Sequence, residues 1–325
     1  FSLVKAPLNS TRIGARHLLL TPSNMMLISA FPWAHSIRRI LDADRPNPFG
    51  GSHMFLGSDY GGDQKGSSYK TYAYLVVNDA PTRWLAMQRE IRSEYLKDGR
   101  RMSFKRLGDP QRQAALVPFL QAADALDGHL VVFVLHKALR LHPIQKENFK
   151  DWRAPLNLSA KWNARAFEVA FLKLHLFSLL LAQWAKPNID VTWVSDQDEF
   201  VANNKRLNDI HQLSARISSI YLQHPMGIFA MNTTEIDGGG REIEDLVAVS
   251  DLAAGMMAEL CSALATGATW SDMKRLKVLD EFVLQPKSEL LLDWFWYPNA
   301  RLKRTCIVLD KDTPQSRVFR LDRLS

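Results

Sequence analysis

Cysteine is scarce, with only Cys261 and Cys306 among 325 residues. Two thiols cannot supply a four-ligand thiolate site, which excludes zinc fingers of the four-cysteine kind, and in a reducing compartment the two are not expected to pair. Long apolar runs free of charge are missing too. The most apolar stretch, FEVAFLKLHLFSLLLAQW at 167–184, carries Glu168, Lys173 and His175, so it reads as a buried helix and not a bilayer span. No segment resembles a signal peptide, and the expected location is the cytoplasm, without membrane attachment. Internal repeats are absent. Hydrophobic residues at 46% and charged residues at 23% exclude collagen-like, coiled-coil and wholly disordered chains.

Positive charge, by contrast, is in excess. The 41 Lys and Arg exceed the 34 Asp and Glu, for a net +7 and a pI of about 9.4. That balance favours a polyanionic partner, although charge alone also serves solubility.

Along the chain, LDADRPNPFGGS (41–52) reads as a loop or linker. Within it and just beyond, Gly51–Met54 spell GSHM, a tetrapeptide that tag removal often leaves behind; coincidence is the preferred reading. The short strand MFLGS follows. A second strand is expected at 69–77, a helix opened by Pro81 over 81–97, and a third strand at RRMSFKRL (100–107). A helix at 110–126 leads to GHLVVFVLH (128–136), whose continuous β-branched run suits a strand covered on both faces. Ser159 is placed to cap a long helix that Pro187 ends, followed by strand IDVTWVS (189–195). Helix 200–222, strand 226–231 and helix 242–265 complete an alternating α/β series, with a mixed sheet flanked by helices. Three regions are expected: an N-terminal extension (1–50), a core (51–265) and a C-terminal appendage (266–325). The appendage holds aromatic LLLDWFWYP and a terminal hairpin suited to a partner protein.

Four acids stand where a packed sheet does not ask for them. Asp59 follows one apolar strand, Asp196 and Asp198 follow another, and Asp251 interrupts the apolar helix LVAVSDLAAGMMAEL (246–260). Open α/β sheets collect ligands at strand carboxyl ends. Val247, Asp251, Ala254, Gly255 and Ala258 share one helical face, and its mostly small side chains permit close approach to a sheet. Carboxylates gathered there suit Mg²⁺ or Mn²⁺, which in pairs activate water for phosphodiester cleavage. Each acid also has a structural reading. Asp59 can start a turn, Asp196 can cap a helix with Glu199 completing a capping box, Asp198 can favour the helix dipole, and Asp251 can pair with Lys or Arg.

Weaker signals are read structurally. DGGGREIED (237–245) is a flexible turn, since no Walker lysine follows, and His136, His142, His175 and His211 lack metal-binding spacing. Cations cluster at Arg100, Arg101, Lys105 and Arg106, at Lys274, Arg275 and Lys277, and at Arg301, Lys303 and Arg304. The first cluster is the candidate phosphate grip beside the acids.

The order of three motifs, FLGSDYGG, VTWVSDQDEFVAN and LVAVSDLAAGMMAEL, resembles the RNase H-like proteins grouped as domain of unknown function 3800. The match frames residues 53 to about 262. The resemblance implies an RNase H-like fold, an acidic metal centre, and a presumed nuclease often associated with mobile elements or defence. Asp59 matches the first-strand acid, Asp196 or Asp198 the later strand-end acid, and Asp251 the helix acid. Tyr60 departs from the pattern, because an acid commonly follows the first Asp. The expected function is thus metal-dependent hydrolysis of DNA or RNA at a two-metal centre of Asp59, Asp196 or Asp198, and Asp251. The alternative is a non-catalytic RNase H-like module that binds nucleic acid or a partner protein. An ATP-dependent phosphotransferase is disfavoured, since no pair of phosphate loops is present.

Overall fold

The computed structural model describes residues 10–12, 31–43, 50–63, 67–78, 82–141, 144, 146–264, 284–298, 300–311 and 316–322. Two compact units are present: a first unit of residues 1–54 and 140–236, and a second of 55–139 and 237–325. Both are α/β, with strands and helices interleaved along the chain.

In the first unit, strands β1 (Ser10–Arg12), β5 (Asp190–Ser195) and β6 (Ile228–Thr233) lie in the order β1-β6-β5. β6 runs antiparallel to β1 and parallel to β5, with Ser195 opposite Thr233. Helix α1 (Pro32–Ala43) buries Trp33, Ala34, Ile37 and Leu41 at helical spacing. A short α4 (Phe149–Arg153) precedes α5 (Ala164–Trp184) and α6 (Asn204–Tyr221). Asn163, not Ser159, caps α5, accepting from the Ala166 N–H at 2.7 Å. Among the described residues α5 is the one helix long and apolar enough to cross a membrane, and 78% of its most apolar window is buried in the protein. Phe177 of α5 stacks on Trp193 of β5 at 4.0 Å between ring centroids. The GSHM stretch is built into this unit: Ser52 O accepts from the Asp190 N–H, His53 Nε2 lies 2.9 Å from Thr192 Oγ1, and Met54 is fully buried.

The second unit holds β2 (His53–Gly61) from Phe55 on, β3 (Tyr69–Asn78), β4 (Gly128–His136), β7 (Lys303–Lys311) and β8 (Ser316–Leu321), in the order β2-β3-β4-β7-β8. β3 and β4 pair antiparallel from Tyr69–His136 to Val77–Gly128, and β4 and β7 pair parallel. β4 is buried on both faces along nearly its whole length, as its unbroken apolar run requires. Its helices are α2 (Thr82–Glu94), α3 (Pro110–Asp124), α7 (Glu242–Leu264) and α8 (Pro286–Phe295). Asp237 caps α7: one carboxylate oxygen accepts from the Ile243 and Glu244 N–H groups and the other from Gly239 and Arg241.

Two expectations change here. Residues 100–107 form no strand; Phe104–Arg106 is a 3-10 turn, because Phe104 and Leu107, three apart, both turn inward. Of the expected C-terminal appendage, residues 266–283 lie outside the described residues, and the strands that follow are packed into the second unit. β7 and β8 are indeed an antiparallel hairpin, but β7 lies in the sheet beside β4, and Cys306, Ile307, Val308 and Leu309 are buried there. Cys261 and Cys306 are both free thiols, and burial raises their pKa values, that of Cys261 to about 12.

Candidate functional site

Side chains alternate along β2, and the alternation places Asp59. Ser58 and Tyr60 share one face, where their hydroxyls lie 3.0 Å apart and the Tyr60 ring packs edge-on against Tyr72 and Tyr74. Gly57, Asp59 and Gly61 occupy the other. That face meets α7: a Cβ on Gly57 would touch Val247 at 3.4 Å, and one on Gly61 would stand 3.0 Å from Ala254 O and 2.7 Å from Thr71 Oγ1. The two glycines therefore let the helix come down on the strand on either side of Asp59. Hydrogen bonds fix the contact, with Ser250 Oγ donating to Gly57 O (3.1 Å) and Thr71 Oγ1 to Ala254 O (2.9 Å).

Asp251 lies on α7 between these two anchors, so it and Asp59 belong to the same side of the sheet. Both are half-buried. Asp251 Oδ2 accepts the Phe104 N–H at 2.8 Å. The Phe104 ring rests on Gly255, one helical turn on, where a Cβ would sit 2.3 Å from the ring. Lys287, at the start of α8, closes the group: its Nζ donates to Phe104 O (3.3 Å) and lies 4.1 Å from the Phe104 ring centroid. Sequence reasoning missed Phe104 and Lys287, for a backbone N–H leaves no mark in a sequence and Lys287 is distant along the chain.

Two of the four cations of the expected phosphate grip are engaged by carboxylates. Arg100 is paired with both Asp98 and Asp109, and its hydrogen bonds hold the Asp98 carboxyl down at about 2. Arg101 lies 3.5 Å from Glu244. Lys105 and Arg106 are exposed on the turn that presents the Phe104 N–H. The cluster at 274–277 falls outside the described residues. In the third cluster, Arg301 pairs with Asp127 at 3.1 Å, and Arg304 is buried against Asp124 with its guanidinium over Trp294.

Asp196 and Asp198 lie in the first unit. Asp196, at the end of β5, accepts from Thr234 Oγ1 at 3.0 Å. Asp198, rather than Asp196, is the cap: it takes the Phe200 N–H (2.8 Å) at the 3-10 turn Glu199–Val201, and it pairs with the buried Lys173 ammonium at 2.9 Å. Of the histidines, His175 Nδ1 lies 2.6 Å from Tyr221 Oη and His211 Nε2 lies 3.1 Å from Phe229 O, both in the core; His136 is half-buried, and His142 lies outside the described residues.

Among the described residues no three His, Cys, Asp or Glu side chains are grouped to hold a metal ion. Asp59 and Asp251 are hard oxygen donors on one face. Such oxygens are the ligand type that Mg²⁺ and Mn²⁺ take, and Mg²⁺ is commonly bound through one or two carboxylates with several waters retained. No protein-family model matches the chain, and no curated protein matches it.

Proposed function

We propose that the chain is an RNase H-like phosphodiesterase that cleaves DNA or RNA with Mg²⁺ or Mn²⁺ held by Asp59 and Asp251. The observation that supports this most is the shared face of those two acids, next to a turn that carries exposed cations. The order of the three acidic motifs supports the RNase H-like assignment. When bound, the ion supplies an activated water and neutralises charge on the phosphoryl group. The Phe104 N–H fixes the rotation of the Asp251 carboxylate, and Lys287 steadies the turn that holds that N–H. Lys105 and Arg106 draw the substrate's phosphates toward the acids.

The test is incubation of labelled single- and double-stranded DNA and RNA with Mg²⁺ or Mn²⁺, and with EDTA. Divalent-dependent cleavage that Asp59→Ala and Asp251→Asn each reduce at least about 100-fold is expected, in line with loss of an electrostatic element of a catalytic site. Cleavage equal in wild type and variants would show a contaminant and sink the proposal. Binding without cleavage would favour the non-catalytic module, a reading helped by the commitment of Asp198 to Lys173.

A further inference from the structure

The surplus of positive charge is not shared evenly by the two units. By sequence the first holds 17 Lys and Arg against 11 Asp and Glu, the second 24 against 23. Much of the first unit's surplus falls on residues 140–165 and helix α6, which together carry nine Lys and Arg against three Asp and Glu.

One of those three acids is turned inward. Asp209 of α6 is 1% exposed, and its carboxylate takes the Ser159 N–H and hydroxyl (both 2.8 Å), the Ala160 N–H (2.9 Å) and the Trp162 indole N–H (2.9 Å). These bonds strap residues 159–162 onto the helix. Cations collect along the strap. Arg153 donates to Ala160 O (2.9 Å), Arg216 to Leu156 O (3.3 Å), and Arg206 to Lys161 O (3.4 Å). The Arg206 guanidinium lies 4.6 Å over the Trp162 ring, and Lys205 O accepts from Ser159 Oγ at 3.4 Å. Lys161 and Lys205 are exposed. Among the described residues no carboxylate pairs with Arg153, Lys161, Lys205 or Arg216, while the neighbouring Arg140 and Arg165 both reach the buried Glu168.

We infer that this strap, with the N-terminal half of α6, is a docking surface for a nucleic-acid backbone. A strand with one phosphate about every 3.4 Å is a dense line of negative charge, and it would meet here the exposed Lys161 and Lys205 ammonium groups beside guanidinium groups held on main-chain carbonyls. An anionic membrane fits less well. The exposed large hydrophobics among the described residues are Val117, Ile228 and Tyr297, none of them on the strap or α6, so the surface offers charge without an apolar wedge. The surface stands apart from the hydrolytic reading, which concerns the second unit's acids.

Fluorescence anisotropy with labelled single-stranded RNA, single-stranded DNA and duplex DNA, in EDTA over a KCl series, tests it. Lys161→Ala/Lys205→Ala is compared with Lys97→Ala/Lys311→Ala, which removes the same charge from exposed sites of the second unit. The strap variant is expected to bind more weakly, with a log–log salt slope shallower by about two units on duplex DNA, while the control keeps the wild-type slope. An unchanged slope, or an equal drop in the control, overturns the inference. So does stronger retention on phosphatidylcholine–phosphatidylserine vesicles than on any oligonucleotide. Both lysines are tied to the fold through main-chain carbonyls that alanine keeps; if unfolding curves nevertheless shift, Lys161→Gln/Lys205→Gln is measured in place of the alanine pair. Binding that persists without cleavage leaves this surface standing and removes only the hydrolytic assignment.

Discussion

At the scale of single residues, Gly255 links the fold to the acidic site. A helix interior normally favours alanine over glycine by about 0.5–1 kcal/mol. Here the added methyl would meet the Phe104 ring at 2.3 Å, and the ring belongs to the residue whose N–H serves Asp251. Overpacking of this kind costs about 1–3 kcal/mol, more than the helix gains. Gly255→Ala is therefore expected to lower stability by about 1 kcal/mol in urea unfolding, and to weaken any Mg²⁺ response. In a Phe104→Ala background the clash is gone, and the same substitution should become neutral or stabilising. Equal destabilisation in both backgrounds would show that Phe104 is not what the glycine accommodates. Asp59 beside an apolar run and Asp251 on a small-residue helix face were legible in the sequence because both are local patterns, whereas the continuation of β2 through Asp59 to Gly61 was not. Nor was the partner of Asp251, since a main-chain donor 147 residues away has no signature of its own.

Among the elements, the seam between β4 and β7 carries a pH dependence. His129 of β4 lies opposite Lys303, its Nε2 is 2.7 Å from Thr305 Oγ1, and burial, with the charges of Lys303 and Arg320 adding to it, holds its pKa at about 3. In the unfolded chain an imidazole titrates near 6.5. The folded state thus binds fewer protons between those values. The stability this histidine contributes is present above pH 6.5 and is lost as pH falls toward 3, at up to about 1.4 kcal/mol per pH unit. His129→Gln, which keeps an amide within reach of Thr305, should cost about 1 kcal/mol at pH 8 and flatten the decline between pH 6 and 4. An unaltered slope in denaturant unfolding would mean that another group governs that range. The strands of this seam also show what sequence could and could not give. The β-branched run of β4 marked it as doubly covered, yet its parallel neighbour β7 enters from the far end of the chain, and pairing at that separation follows from no local pattern. At 100–107 the alternation of Met102 and Phe104 imitated a strand, where burial of Phe104 and Leu107 selects a turn.

For the molecule as a whole, chain order and unit order differ. Each unit is assembled from two separated segments, so a central core with dispensable ends is not how the chain is divided. Removing residues 303–325 tests this directly. An appendage would be lost at little cost. Instead the deletion takes Cys306, Ile307, Val308, Leu309, Phe319 and Leu321, all buried, from beside β4, and it removes the Arg304 guanidinium that faces Asp124 and covers Trp294. At about 1.5–3 kcal/mol for each large apolar side chain, the lost burial is on the order of 10 kcal/mol, comparable with the whole stability of an ordinary domain. β4 would also be left with an exposed apolar edge, which invites association with other chains. The truncated chain is expected to aggregate on expression or, where it stays soluble, to lose hydrogen-exchange protection throughout β3 and β4. A soluble monomer with those amides still protected and wild-type unfolding would restore the segment to the status of an appendage.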